Sequence, residues 1–391
     1  MRGLDVPDAE DDYTADPVEL FFDLAFVFAF SQLVAHLIHH PDWGGAGDGL
    51  LLFMMLWLPW SQFTWAANTV PGNRRSVRFV MLVATVVSVP MAASVTTAFG
   101  DGGPLFAISI AVIAVLGISL LALATETGSE AYRTVITYSW PNLVAAGFFA
   151  AGSFLDEDAR RVAWIVGLAI TTFATIRASS GSWIVRPGHF SERHGLILIV
   201  ALGEVIVAIA RPVVEGLEEG AGLPGTSVLS LIAAGAFAAI LFWTYFDRVQ
   251  PAFEHATSQR GESDRPGVAR DLYTYFHILI VGGVILAAAA VEEAALHPDE
   301  PLPLAFRTML FFGIASFLLG VVGGVYRAYR FVAIERLTIT AVLAVVIFAA
   351  SDIDGMPLLL VVDAILLVML AAEHRRVEAR PAATAESETA S

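Results

Sequence analysis

Twelve apolar runs separated by short polar breaks constrain this chain more than any other feature, because hydrocarbon tolerates backbone only as helices or closed barrels. The runs fall near residues 18–38, 49–70, 77–99, 104–125, 138–155, 162–178, 194–211, 226–247, 272–293, 304–326, 334–350 and 357–371. Most approach the ~20 residues that a helix needs to cross ~30 Å of hydrocarbon. A composition of 57% hydrophobic and 15% charged residues agrees. The expected fold is all-α, a polytopic bundle of about 12 transmembrane helices with the lipid bilayer as its partner. Spread over a dozen spans, 391 residues leave no room for a sizeable soluble domain.

Arginine placement predicts the orientation. Every one of the 22 basic residues is arginine, and sorting them to alternate sides puts 18 with the N-terminus. Only Arg160, Arg161, Arg211 and Arg307 fall on the other side. The positive-inside rule then places both termini in the cytoplasm of a multi-pass plasma-membrane protein. The segment 1–17 is acidic with a single Arg2, unlike the positive start of a cleavable signal, so the first span is expected to be permanent.

The net charge of −16 resides mostly in the tails, in Asp156 to Asp158 and in Glu215 to Glu219. It reads as solvated, self-repelling loops, and no basic stripe points to nucleic acid. The loop 248–271 reads as polar and mobile, and the tail 373–391 as disordered. With no cysteine, disulfides, thiolate metal sites and thiol catalysis are excluded. The histidines His36, His39, His40, His189, His194 and His277 divide between the two membrane sides without a His-Glu-x-x-His spacing. No metal and no cofactor are therefore expected.

Sliding the chain on itself suggests an internal repeat. Tyr132-Arg133 falls on Tyr329-Arg330, Arg78-Phe79 on Tyr275-Phe276, Glu19 on Glu192, and Trp65 lies near Trp243. Two six-span halves, 18–185 and 186–372, would then share one orientation about a pseudo-two-fold along the membrane normal. In that arrangement spans one and seven meet near the axis.

Polar groups inside the spans are the candidate site, since charge there is costly. Asp16, Pro17 and Glu19 spell a capped helix start, and Ser191-Glu192 is expected to open the seventh span likewise. Asp23 stands a turn deeper than Glu19 on the same face. It forms either a salt bridge, to Arg74, Arg75, Arg78 or Arg193, or a binding or conduction site. Glu204 lies near the midplane and demands a partner or a proton. Asp363, Gln32, Asn142, His36 and His277 are further intramembrane groups, with Asn68 and Asp247 at cytoplasmic span ends; Glu292 and Glu293 are expected to face outer water. The eight tryptophans read as an interfacial belt.

Glu19-Leu-Phe-Phe-Asp-Leu-Ala-Phe-Val-Phe-Ala-Phe-Ser-Gln-Leu33 resembles the opening signature of the bacterial low-temperature-requirement A (LtrA) family. Glu192-Arg-His-Gly with Leu202-Gly-Glu204 is similar to its second block, and Trp243-Thr-Tyr-Phe-Asp247 to its third. The resemblance covers most of residues 17 to 370 and implies an integral membrane protein without a settled substrate. Its signature positions here are Glu19, Asp23, Gln32, Glu192, Gly203, Glu204 and Asp247. The function expected is a transporter or channel for an ion or small solute, with Asp23, Glu204, Glu19, Glu192, Gln32, Asp247, Asn68 and Asp363 as pathway residues and none catalytic. An intramembrane enzyme using His277, a non-transporting structural protein and a homo-oligomer all stay open.

Overall fold

The computed structural model describes residues 14–70, 73–178, 181, 183–218 and 225–378. Among them every regular element is helical. In chain order these are α1 (Pro17–His39), α2 (Trp43–Thr69), α3 (Arg75–Ala93), α4 (Gly103–Leu123), α5 (Glu130–Gly152), α6 (Glu157–Ala178), α7 (Pro187–Glu218), α8 (Gly225–Phe246) and α9 (Val249–Ser258). After them come α10 (Arg265–Ala269), α11 (His277–Leu296), α12 (Leu304–Tyr329), α13 (Ile334–Ala349) and α14 (Gly355–Glu378). A 3₁₀ turn, Val95–Thr97, precedes α4, and a π-helical segment, Arg270–Phe276, runs from α10 into α11.

Helix ends follow local chemistry. Asp16 Oδ1 accepts from the Val18 amide at 3.0 Å and Glu19 Oε1 from the Asp16 amide at 3.1 Å, a capping box that satisfies orphan donors of α1. Ser129 caps α5 through the Tyr132 amide at 3.0 Å, so α5 begins eight residues before the predicted run. The seventh helix starts at Pro187, with Ser191 and Glu192 in its second turn instead of at its cap. Proline at the first helical position favours this earlier start. The predicted mobile loop after Arg248 instead carries α9, because Val249, Phe253, Ala256 and Thr257 form one buried stripe at helical spacing. Phe253 lies against Gly324 of α12.

Ten helices among the described residues are long and apolar enough to cross a bilayer. The other two expected spans differ in kind. α5 carries Glu130, Arg133 and Asn142, and α13 has only 16 residues, about 24 Å of rise. Outward faces bear Phe21, Leu24, Phe79, Val86, Phe173, Val345 and Leu367, an exposed apolar girdle suited to lipid. Of the tryptophans, Trp43, Trp140 and Trp243 are exposed as a belt requires. Trp57, Trp60 and Trp164 are instead core residues, and Glu292 is buried, not in outer water.

α1 packs on α2, α3, α7 and α11. Two of its bonds to α7, Glu19 with His189 and Asp23 with Arg193, share one sequence offset of 170 residues. A constant difference in position means that the two helices run parallel and in step. On another face of the bundle, the Gly355 amide donates to Glu300 O at 2.9 Å and the Met356 amide to Pro298 O at 3.3 Å. The start of α14 is thus joined to the loop that precedes α12.

The closest helix crossing, between α11 and α12, is made by reciprocal glycines. A Cβ on Gly283 would meet Gly313 O at 2.5 Å, and one on Gly313 would meet the Ala287 amide nitrogen at 2.6 Å. Backbone on both sides cannot give way, as small-residue crossings in lipid require. Gly313→Val should lower the thermal midpoint in detergent, with overpacking of about 1–3 kcal/mol or more. Gly147→Ala on α5, where a Cβ meets nothing within 4 Å, should leave the midpoint unchanged or raise it.

Candidate functional site

The periodicity of α1 sets Glu19 and Asp23 on one face, one turn apart, and that of α7 sets His189 and Arg193 likewise. The two faces meet in a fully buried ladder. Arg193 Nη1 donates to Asp23 Oδ2 at 2.6 Å and Nη2 to Asp23 Oδ1 at 2.8 Å, a bidentate pair. Arg193 Nε lies 3.3 Å from Glu19 Oε2, and His189 Nε2 is 3.0 Å from the same oxygen. From α2, Trp60 Nε1 donates to Asp23 Oδ1 at 2.8 Å, while its ring lies under the guanidinium at 5.8 Å.

Two carboxylates therefore face one permanent cation and one imidazole. Around this core the chain is tied down at its entry. The Ala15 amide donates to Glu192 Oε2 at 2.7 Å, and Arg78 reaches Asp16 at 3.5 Å. Asn68 Nδ2 donates to Ile184 O at 2.7 Å and Asn68 Oδ1 accepts from the Arg186 amide at 3.2 Å. The Arg186 guanidinium closes on the Asn68 carbonyl, capping the last turn of α2.

Behind the ladder lies a dense aromatic wall. His194 sits with ring centroids 4.9 Å from His277, 5.0 Å from Tyr273 and 5.1 Å from Trp60. His277 Nδ1 is 2.8 Å from Leu272 O, and its Nε2 is 2.7 Å from Tyr245 Oη. The first contact fixes Nδ1 as donor, so Nε2 accepts from the tyrosine and no lone pair is left for a metal or substrate. Next to Trp60 and Ser61, the π-helical segment presents Thr274, whose carbonyl accepts from Trp57 Nε1 at 3.1 Å and whose hydroxyl accepts from Trp65 Nε1 at 3.1 Å. A cavity of about 40 Å³ opens there, lined among others by Ser61, Gln62, Thr175 and Thr274. That is room for a few waters. Neither Asp23 nor Glu204 lines it.

Glu19, Asp23, Glu192 and Asn68 are thus brought together where α1, α2 and α7 start or end on one side. Gln32, Glu204, Asp363 and Asp247 are not. Gln32 is half-buried three turns along α1, and Glu204, 1% exposed, lies eleven residues beyond Arg193 on α7. Asp363 is buried in α14, with neither carboxylate oxygen hydrogen-bonded among the described residues. Asp247 is exposed and pairs with Arg248 at 3.0 Å. Asn142 is absorbed locally, donating to Tyr138 O at 2.7 Å.

Sequence reasoning missed Trp60, His189 and Thr274 as members of the site. The signal that was available is the twin spacing, four residues, of acids on α1 and bases on α7. The ladder makes a sharp stability prediction. Asp23→Leu alone should destabilise the protein by about 3–5 kcal/mol, because Arg193 keeps a buried charge with less compensation. Arg193→Met should cost more, since it strands two carboxylates. The double variant should recover much of the loss, read as a double-mutant cycle by thermal unfolding in detergent.

The family model described as bacterial low temperature requirement A protein (LtrA) matches residues 14–371. An uncharacterized protein of Rhizobium meliloti (strain 1021) is 30% identical over 294 residues, which make up 72% of this chain and 70% of that protein. No solved structure matches. Both the ladder and the deeper Glu204 lie inside the matched segment, and by that match the chain belongs to the LtrA family of membrane proteins.

Proposed function

We propose that this protein is a plasma-membrane transporter or channel for a small ion or solute, with both termini cytoplasmic. The observation that carries the reading is the burial of carboxylates within membrane helices, Glu204 on α7 and Asp363 on α14. Ionisable groups at such depth are expensive and mark ion or proton pathways. In this reading Glu204 and Asp363 take the proton or cation in the membrane interior, with Gln32 lining the route. Glu19, Asp23, Glu192 and Asn68 guard the cytoplasmic approach, and Asp247 stands on its rim.

In this reading the chain crosses twelve times in two parallel halves. The parallel run of α1 and α7 supports an even number of crossings from one to the other, with α5 crossing along with α1 to α4 and α6. The bonds from α14 to the loop before α12 likewise support a return of α13 across the membrane. Packing repeats between the halves as well: α1 lies on α3 as α7 lies on α11, and α3 on α4 as α11 on α12. Parallel-repeat transporters place their sites where such halves meet.

Flux of H⁺, Na⁺ and K⁺ into proteoliposomes tests the proposal. Glu204→Gln and Asp363→Asn keep size and shape while removing the titratable group, and each should cut flux of the conducted ion by about tenfold or more. Flux unchanged in both variants would sink the assignment of these residues.

A further inference from the structure

Asp363 stands in the middle of the apolar run of α14 and is buried as deeply as Asp23, with the opposite surroundings. Asp23, 3% exposed, accepts three hydrogen bonds, two from Arg193 and one from Trp60. Asp363, 5% exposed, accepts none: both of its oxygens are closed off from solvent and without a hydrogen bond among the described residues. One carboxyl is housed as an anion and the other is not.

α14 packs on α8, α11 and α13, and among the described residues none of these brings a charge to that depth. Between Ser230 and Thr244 α8 carries only apolar residues and glycine, as do α11 between His277 and Glu292 and α13 from Thr340 to its end. One turn either way on α14 itself stand Leu359, Leu360, Leu366 and Leu367. The titratable groups of these helices gather at the two ends of this apolar stretch. At one end Arg336 pairs with Glu373, Glu335 with Arg376 and His277 with Tyr245, and Glu373 is ten residues beyond Asp363, about 15 Å by helical rise. At the other, Glu292 and Glu293 precede Ala294, against which Gly355 is seated, eight residues or about 12 Å before Asp363; Asp352 and Asp354 lie just outside it. The hydroxyls of Ser230 and Thr244 donate to carbonyls of their own helix at 3.0 and 2.7 Å.

An ionised carboxylate without donors is very costly to bury, and such a group gives up its charge instead. A dehydrated Na⁺ or K⁺ would need several oxygens in place of its hydration shell. A proton needs one oxygen and no added room, which is what a single closed-off carboxyl among apolar helices provides. We propose that the ion this protein moves is H⁺, carried as the acid proton of Asp363. The inference rests on the transport reading and narrows it to one ion. Loading takes one proton from water on one side onto a carboxylate oxygen, and release breaks that O–H bond and returns the proton to water on the other side.

Two measurements on the full-length protein in liposomes test it. In infrared spectra at pH 7, wild-type protein should show a carboxylic acid C=O band of which a part is missing from Asp363→Asn. An identical band in the two proteins would overturn the acid state of Asp363. Under an imposed pH gradient, in buffer free of Na⁺ and K⁺, H⁺ flux should be present and cut about tenfold or more in Asp363→Asn. H⁺ flux undiminished in that variant would overturn Asp363 as the carrier. Na⁺ or K⁺ flux without H⁺ flux would overturn the ion assignment and leave the transport reading standing, whereas no flux of any of the three would overturn that reading itself.

Discussion

The bidentate pair between Asp23 and Arg193 is the contact on which the rest of the arrangement depends. It joins the first helix to the seventh where both side chains are buried and each charge alone would be several kcal/mol more expensive than in solution. Glu19 and His189 add a second rung one turn away, and Trp60 brings α2 onto the same carboxylate. A buried pair of this kind contributes little net stability compared with an apolar replacement of equal volume. What it supplies is register. Slipping α1 by one residue against α7 would rotate both acids by about 100° away from their bases and leave four buried polar groups unmatched.

Once α1 and α7 are locked in parallel, the remaining helices have few ways to be placed. α1 lies against α3 and α7 against α11, and α11 then carries α12 through the glycine crossing at Gly283 and Gly313. The π-helical segment at the start of α11 is part of the same centre. Its wider turn offers a carbonyl and a hydroxyl of Thr274 to two tryptophans of α2, so α2 is bonded to the segment before α11 through polar contacts as well as by packing. Polar cohesion of this sort suits a membrane interior, where apolar side chains gain nothing by leaving lipid for one another.

Much of this was legible in the chain. The capped start of α1, the carboxylates Glu19 and Asp23 on one face, and the buried positions of Glu204 and Asp363 all follow from helical periodicity and hydropathy. Other features were hidden for identifiable reasons. The start of α7 at Pro187 was masked because His189, Ser191, Glu192 and Arg193 look like solvent-facing residues until the acids of α1 are brought to them. The amphipathic helix α9 was read as a loop because its buried stripe, Val249, Phe253 and Ala256, is diluted by polar neighbours over ten residues. Trp57 and Trp60 stand in the middle of their run, not at an interface, and their indoles serve Thr274 and Asp23.

The sequence by itself determined that this chain enters a membrane, roughly where each helix runs, and which polar residues would have to be accounted for inside. Those properties are local: apolar run length, helical spacing and capping chemistry act within a single segment, and in hydrocarbon a segment must satisfy its own backbone. Only the tertiary structure decided which of the costly residues answer one another. Whether Asp23 is an open ion site or half of a salt bridge depends on what stands opposite it across a helix interface, 170 residues away in the chain. Hydropathy cannot supply that, because a buried carboxylate looks the same in sequence whether its partner is an arginine, a proton or a passing ion.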